Sequence, residues 1–381
     1  MRLIFHGGLS KSGSTTIQTV LQNNKETLRE RGYLIPNTGI KFRSRHHYYY
    51  SLNGGDYKDL VDQLYSEFID SGCHTIIMSE ESLNKSICYD KHNYLKKVFA
   101  NVEFVFYLRR QDTLLESYYN QTIKVPWDKN RSQSPKSTLV DYSESLHWLN
   151  YGNLLDCFSN IVGKENIKVI PFERGQLSNN IAKDFLEKYC NVDTSGLNVI
   201  ERVDNTSIPY SSLGLAIEIN KIDMKFLGEP SFIRRALHEF FRARYKDVSS
   251  NILTYDERVS LMNTYVEGNS YVAREYLNRS DGRLFYENLP DKNTPIQATE
   301  ILEADENDFI EKIKPILEHL KGDDLSKINQ DYILNKTLGF MDKNESTLRS
   351  DFFYELLIQA RAIRPKGPRV LRLLKGCADE D

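Results

Sequence analysis

The sequence predicts an α/β protein: a mainly parallel sheet flanked by helices, with helical additions toward the C-terminus. Three observations carry this. Short apolar runs rich in aromatic and β-branched residues recur at 2–6, 74–79, 102–108 and 167–172. Segments with apolar residues at 3.6-residue spacing lie between them, and alternating strands and helices close into a parallel sheet through right-handed crossovers. From Val203 onward helical patterning takes over.

Taken in order, the run 2–6 opens into Gly7-Gly8-Leu9-Ser10-Lys11-Ser12-Gly13-Ser14-Thr15-Thr16, and this loop opens into a helix. Ile17, Val20, Leu21 and Leu28 form its apolar stripe, and Gly32 stands where a C-terminal stop belongs. Residues 33–36 read as a short extended piece and 57–68 as a helix with Leu60, Leu64 and Phe68 on one face. The strand 74–79 ends in Glu80-Glu81, 90–99 is helical, and 101–108 is a buried strand running into Arg109. Leu114, Leu115, Tyr118 and Tyr119 then recur at helical spacing, and 124–141, with two prolines and several serines, is loop chemistry. A helix over 146–161, a strand over 167–172 and a helix over 181–189 complete the alternation. Helices are expected over 211–222, 233–245 and 255–271, with a break near 290–295. The division expected is an α/β core over 1–202, its helical continuation over 203–292, and a helical C-terminal region with a basic tail over 293–381.

Composition narrows the classes. The chain has 381 residues, 40% hydrophobic and 27% charged, an ordinary globular balance. A formal charge of −3 argues against bulk attraction to nucleic acid. Cys73, Cys88, Cys157, Cys190 and Cys377 are odd in number and lack C-x-x-C spacing, so reduced thiols are expected rather than a disulfide frame or zinc site. No window approaches the roughly 18 apolar residues of a membrane span, and the chain opens directly on the first strand, so a cytoplasmic location is expected.

The first loop carries the chemistry. Strand, glycine loop and helix bind phosphate because N–H groups at a helix start lack intrahelical partners and the macrodipole adds positive character there. Gly8 and Gly13 have the separation of the nucleotide triphosphatase motif G-x-x-x-x-G-K-[ST], but Ser14 stands where its lysine should be. Lys11 lies inside the loop instead, where it suits a shorter phosphate chain. Arg109 follows the strand 101–108 and Ser117 comes eight residues later. A guanidinium fork gives charge-assisted bonds to phosphate, and a hydroxyl adds a donor.

Lys11-Ser12-Gly13-Ser14-Thr15-Thr16 resembles the 5′-phosphosulfate loop of sulfotransferases, which use 3′-phosphoadenosine 5′-phosphosulfate (PAPS); Ser10 replaces the usual proline. Arg109 and Ser117 match the spacing of that family's 3′-phosphate site. Ile76-Ile77-Met78-Ser79-Glu80-Glu81 and Ile170-Pro171-Phe172-Glu173-Arg174 resemble the bacterial branch, over about residues 1–290. The resemblance implies a P-loop-like sulfotransferase fold and a donor site made of Lys11, Ser12, Gly13, Ser14, Thr15, Thr16, Arg109 and Ser117. It implies transfer of a sulfuryl group from PAPS to a hydroxyl, or an amine, of a carbohydrate or glycolipid, with no metal.

Lys11 is the expected catalytic cation and His47 or Glu80 the expected base, with His46 and Glu81 as neighbouring alternatives. Carboxylates at a strand's C-terminal end face the ligand crevice of open α/β sheets, but a helix-start carboxylate is an equally plain reading of Glu80. The segment 37–50, with His46, His47 and three consecutive tyrosines, reads either as acceptor-site lining or as a helix start with inward aromatics. The basic tail (Arg361, Arg364, Lys366, Arg369, Arg372, Lys375) suits peripheral contact with an anionic membrane or a solvated terminus. Two other functions stay open: a P-loop kinase or ATPase with Glu80 near its metal, and a non-catalytic glycan- or nucleotide-binding member of the fold.

Overall fold

The computed structural model describes residues 1–9, 11–40, 56–81, 89–124, 139, 143, 146–177, 180–199, 213 and 251–294. Five strands form one all-parallel sheet: β1 (Arg2–Gly7), β2 (Tyr33–Leu34), β3 (Thr75–Glu80), β4 (Asn101–Leu108) and β5 (Ile167–Pro171), in spatial order β2-β3-β1-β4-β5. The order reverses on either side of β1, so the loop leaving β1 opens at the switch point where ligands bind in such sheets. The predicted α/β class is the observed one.

The central strands are apolar on both faces because helices cover both. On one face Leu3, Phe5, Ile76, Met78, Phe104 and Phe106 pack with α3 (Asp56–Ser71), α4 (Tyr89–Val98) and α6 (Tyr151–Val162). On the other Ile4, Ile77, Val105, Tyr107 and Ile170 meet α1 (Ser14–Asn23), α2 (Lys25–Glu30) and α7 (Ile181–Asp184), the last continued by a π turn over Phe185–Tyr189. Burying each such side chain stabilises by roughly 1.5–3 kcal/mol. β4 runs directly into α5 (Gln111–Lys124), and α8 (Tyr255–Leu277) is longer than the 255–271 expected.

Two expected helices are broken, both by asparagine. The helix expected to run unbroken to Gly32 divides at Asn24, whose side-chain amide donates to the Val20 and Asn198 carbonyls and accepts from the Asn198 N–H. The helix expected over 146–161 is a 3-10 turn (His147–Leu149) followed by α6, because Asn150 caps α6 by accepting from the Asn153 N–H at 3.2 Å. Gly32 is the expected stop, with φ +86° and no room for a Cβ beside the His74 ring.

The chain divides into two units: 1–118, 139–206 and 255–291 form one, and 119–138, 207–254 and 292–381 the other. The sheet, the loop after β1 and the strand-end residues described below belong to the first. The second falls mostly outside the described residues.

Candidate functional site

Between β1 and α1 the backbone does what the loop's composition anticipates. Gly13 caps α1 in the left-handed region (φ +81°), and Lys11 sits there too at φ +68°, a conformation a side-chain-bearing residue adopts only when its surroundings impose it. A Cβ on Gly13 would stand 2.7 Å from Ile181 Cδ1 and 3.2 Å from Phe172 Cε2; one on Gly8 would stand 2.6 Å from Ser14 Oγ. At both glycines neighbouring side chains therefore approach too closely for a Cβ to fit without something moving. Thr16 and Ile17 bond back to the Gly13 carbonyl, which leaves the Ser14 and Thr15 N–H groups at the helix start without an intrahelical acceptor.

Within the loop the hydroxyls divide. Ser12 is fully buried and gives both its N–H (3.3 Å) and its hydroxyl (2.5 Å) to the Leu9 carbonyl, so it shapes the turn. Ser14 is buried against Leu9, whereas Thr15 and Thr16 are partly exposed. Lys11 is partly buried. Burial first, then the Arg109 charge, lower its ammonium pKa from the ordinary lysine value, and the Glu81 carboxylate pulls it back up.

Arg109 reaches the loop from the end of β4. Its Nη1 donates to the Lys11 carbonyl at 2.9 Å and its Nε to Thr113 Oγ1 at 3.2 Å, while the guanidinium lies over the Phe172 ring at 5.9 Å. Its own carbonyl accepts from Tyr151 Oη at 2.5 Å. Thr113 and Ser117 are four apart on α5 and therefore share a face, so the structure lines up Arg109, Thr113 and Ser117. Thr113 was not singled out by sequence; a hydroxyl one turn before Ser117 is the signal that could have found it.

At the end of β3 the pleat separates the two glutamates. Ser79 pairs in register with His6 on the α1 face, and His6 Nδ1 lies 2.8 Å from Ser79 Oγ. Gln18 Nε2, on α1, donates to Ser79 Oγ (3.2 Å) and to Glu81 Oε1 (3.4 Å). Glu81 thus stands on the face of the loop, with its Cγ 3.2 Å from where a Gly8 Cβ would be. Glu80, one residue earlier, alternates to the opposite face and is fully buried, with its carbonyl accepting from the Gly8 N–H at 3.0 Å. His6 is buried among Tyr107 and Phe185, and burial lowers its pKa to about 3.

A buried polar layer fixes these elements. Asp112 receives Arg110 Nε at 2.7 Å and Arg258 Nη1 at 2.7 Å, and Glu116 receives Arg258 Nη2 at 2.6 Å. Burial raises the Asp112 carboxyl, but the hydrogen bonds and charges of Arg110 and Arg258 together outweigh it and hold it below the ordinary carboxylate value. Gln111 and Asn269 exchange two amide hydrogen bonds, at 2.9 and 3.1 Å. Glu173, from the Pro-Phe-Glu-Arg stretch, accepts the Tyr286 and Glu287 N–H groups. These contacts give Asn269 and Glu173 framework roles.

Ser10, His46, His47, residues 125–138, 205–207 and the basic tail lie outside the described residues. Among the described residues no group of three or more His, Cys, Asp or Glu is placed to hold a metal, and no helix is long and apolar enough to cross a membrane.

No family model matches the chain, and no curated protein is similar to it at a significant level. Among solved structures the chain is similar to a sulfotransferase from Alicyclobacillus acidocaldarius, at 14% identity and a TM-score of 0.35, over 58% of this chain and 92% of that one.

Proposed function

We propose that this protein is a PAPS-dependent sulfotransferase that modifies a hydroxyl, or an amine, of a carbohydrate or glycolipid. The observation that carries this reading is the closeness of Lys11 and Arg109: the Arg109 guanidinium bonds the Lys11 backbone carbonyl and its charge lowers the Lys11 ammonium pKa, beside the helix-start N–H groups. Two cations beside a helix start favour a polyanionic ligand, and adenosine 3′,5′-bisphosphate, with a phosphate at each end of its ribose, offers one anion to each. A triphosphatase needs a lysine after the second glycine, and Ser14 occupies that position.

In this reading the donor supplies an activated sulfuryl group and an anionic leaving group. The Ser14 and Thr15 N–H groups and the Thr15 and Thr16 hydroxyls hold the 5′-phosphate, with Ser12 and Gly13 setting the curvature of the loop. Arg109 and Ser117, joined by Thr113, hold the 3′-phosphate. Lys11 neutralises charge on the bridging oxygen as the bond to sulfur breaks; losing one such preorganised donor costs about 3–4 kcal/mol of barrier. A base at the end of β3, Glu80 or Glu81, or His47 from the segment before α3, takes the acceptor proton. The basic tail is proposed to touch an anionic membrane surface that presents a glycolipid acceptor.

The test is transfer of labelled sulfate from PAPS to the polysaccharide and glycolipid fraction of the source cell. Label incorporated by the wild type and lost with Lys11→Ala is the expected result. Transfer undiminished in Lys11→Ala, or none by the wild type beside tight binding of Mg-ATP, overturns the reading.

A further inference from the structure

We infer that Glu81, and not Glu80, is the carboxylate that takes the acceptor proton, and that Gln18 is the residue positioning it; this rests on the function proposed above. Adjacent residues of a strand point to opposite faces. Ser79 lies on the α1 face, as its contacts with His6 and Gln18 show, and β3 ends at Glu80. Glu80 therefore turns toward the face where Met78 and Ile76 pack, and no part of it is exposed. Glu81 returns to the face of the phosphate loop and keeps partial exposure. It meets Gln18 Nε2 at 3.4 Å, has its Cγ 3.2 Å from where a Gly8 Cβ would be, and is close enough to Lys11 to act on its charge.

A base must reach the attacking oxygen while the lysine serves the leaving oxygen, so both must border the reacting sulfur. Glu81 stands beside Gly8 of the loop that carries Lys11, near enough to act on the lysine's charge. The acceptor hydroxyl oxygen forms its bond to sulfur as the sulfur–oxygen bond to the donor's 5′-phosphate breaks. The electron pair of that bond leaves with adenosine 3′,5′-bisphosphate, and the hydroxyl proton passes to the Glu81 carboxylate. Gln18 is 5% exposed and holds both Ser79 and Glu81 through one amide nitrogen. Ser79 is fixed in turn by buried His6, so the carboxylate is tied to the sheet through a chain of hydrogen bonds. An amide does not relay a proton; the chain positions.

The experiment compares Glu81→Gln, Glu80→Gln and Gln18→Ala in the labelled-sulfate transfer assay, with the polysaccharide and glycolipid fraction as acceptor and with adenosine 3′,5′-bisphosphate binding measured beside it. Glu81→Gln should lose roughly 100- to 10,000-fold in turnover and the acidic limb of its pH profile, while bisphosphate affinity holds or tightens because a negative charge has left the crevice. Gln18→Ala should lower turnover about tenfold or more and shift that limb, with bisphosphate affinity unchanged; a merely structural role would not move the limb. Glu81→Gln with wild-type turnover, or loss of the acidic limb in Glu80→Gln alone, overturns the assignment. Absence of transfer by the wild type overturns the proposed function itself, and bisphosphate binding by the variants shows that they have folded.

Discussion

Replacing Gly13 by alanine adds one methyl group at the point where the loop becomes a helix. Gly13 has φ +81°, a region that costs a Cβ-bearing residue about 1–2 kcal/mol. The new Cβ would lie 2.7 Å from Ile181 Cδ1 and 3.2 Å from Phe172 Cε2, so either α7 or the Phe172 ring must move. Overpacking of this kind costs about 1–3 kcal/mol, and the two contributions together give roughly 2–5 kcal/mol of lost stability. The displacement has a functional side as well, because Phe172 underlies the Arg109 guanidinium. Urea denaturation measures the loss as a lower midpoint at unchanged slope. A double-mutant cycle with Ile181→Ala should return the steric part and leave the backbone part. A Gly13→Ala variant within about 0.5 kcal/mol of the wild type, the range of ordinary surface substitutions, would refute this account of the turn.

Three further predictions follow from the buried polar groups. His6 has a folded-state pKa of about 3 because burial disfavours its charge; an unfolded histidine titrates near 6.5, so the unfolded chain binds the extra proton between those values and stability falls as pH drops through that window, by up to about 1.4 kcal/mol per pH unit. His6→Gln should flatten that part of the urea-midpoint profile between pH 6.5 and 4, and an unchanged slope would contradict the assignment. Arg258→Met leaves Glu116 and part of Asp112 buried without their cation and should cost about 3–5 kcal/mol; a denaturation loss under about 1 kcal/mol would show that the cluster is relaxed or hydrated. Ser117→Ala should weaken adenosine 3′,5′-bisphosphate by about 1.5–3 kcal/mol, the range for a hydrogen bond to a charged group, and leave adenosine 5′-monophosphate unchanged in calorimetric titration.

The strands were legible because their apolar runs are short, bounded and covered on both faces: 101–108 was read with the ends it has as β4. The loop was legible because left-handed backbone and close approach demand glycine at Gly13 and Gly8. Side-chain partners made across long sequence separations were not. The break at Asn24 depends on Asn198, and the capture of the β4–α5 junction depends on Asn269 and Arg258, more than 140 residues downstream of their partners. Which of two adjacent glutamates faces the loop could not be read either. That depends on where β3 ends its pleat, a one-residue matter decided by the His6–Ser79 register rather than by composition.

In the proposed function Lys11 and Arg109 grip opposite ends of one nucleotide, and calorimetric titration of the full chain tests this most directly. The wild type should bind adenosine 3′,5′-bisphosphate at least tenfold more tightly than adenosine 5′-monophosphate, a gap of about 1.4 kcal/mol or more, and Arg109→Ala should erase that preference while Lys11→Ala weakens both nucleotides. Equal affinity of the wild type for the two nucleotides, or a preference that survives Arg109→Ala, would contradict it.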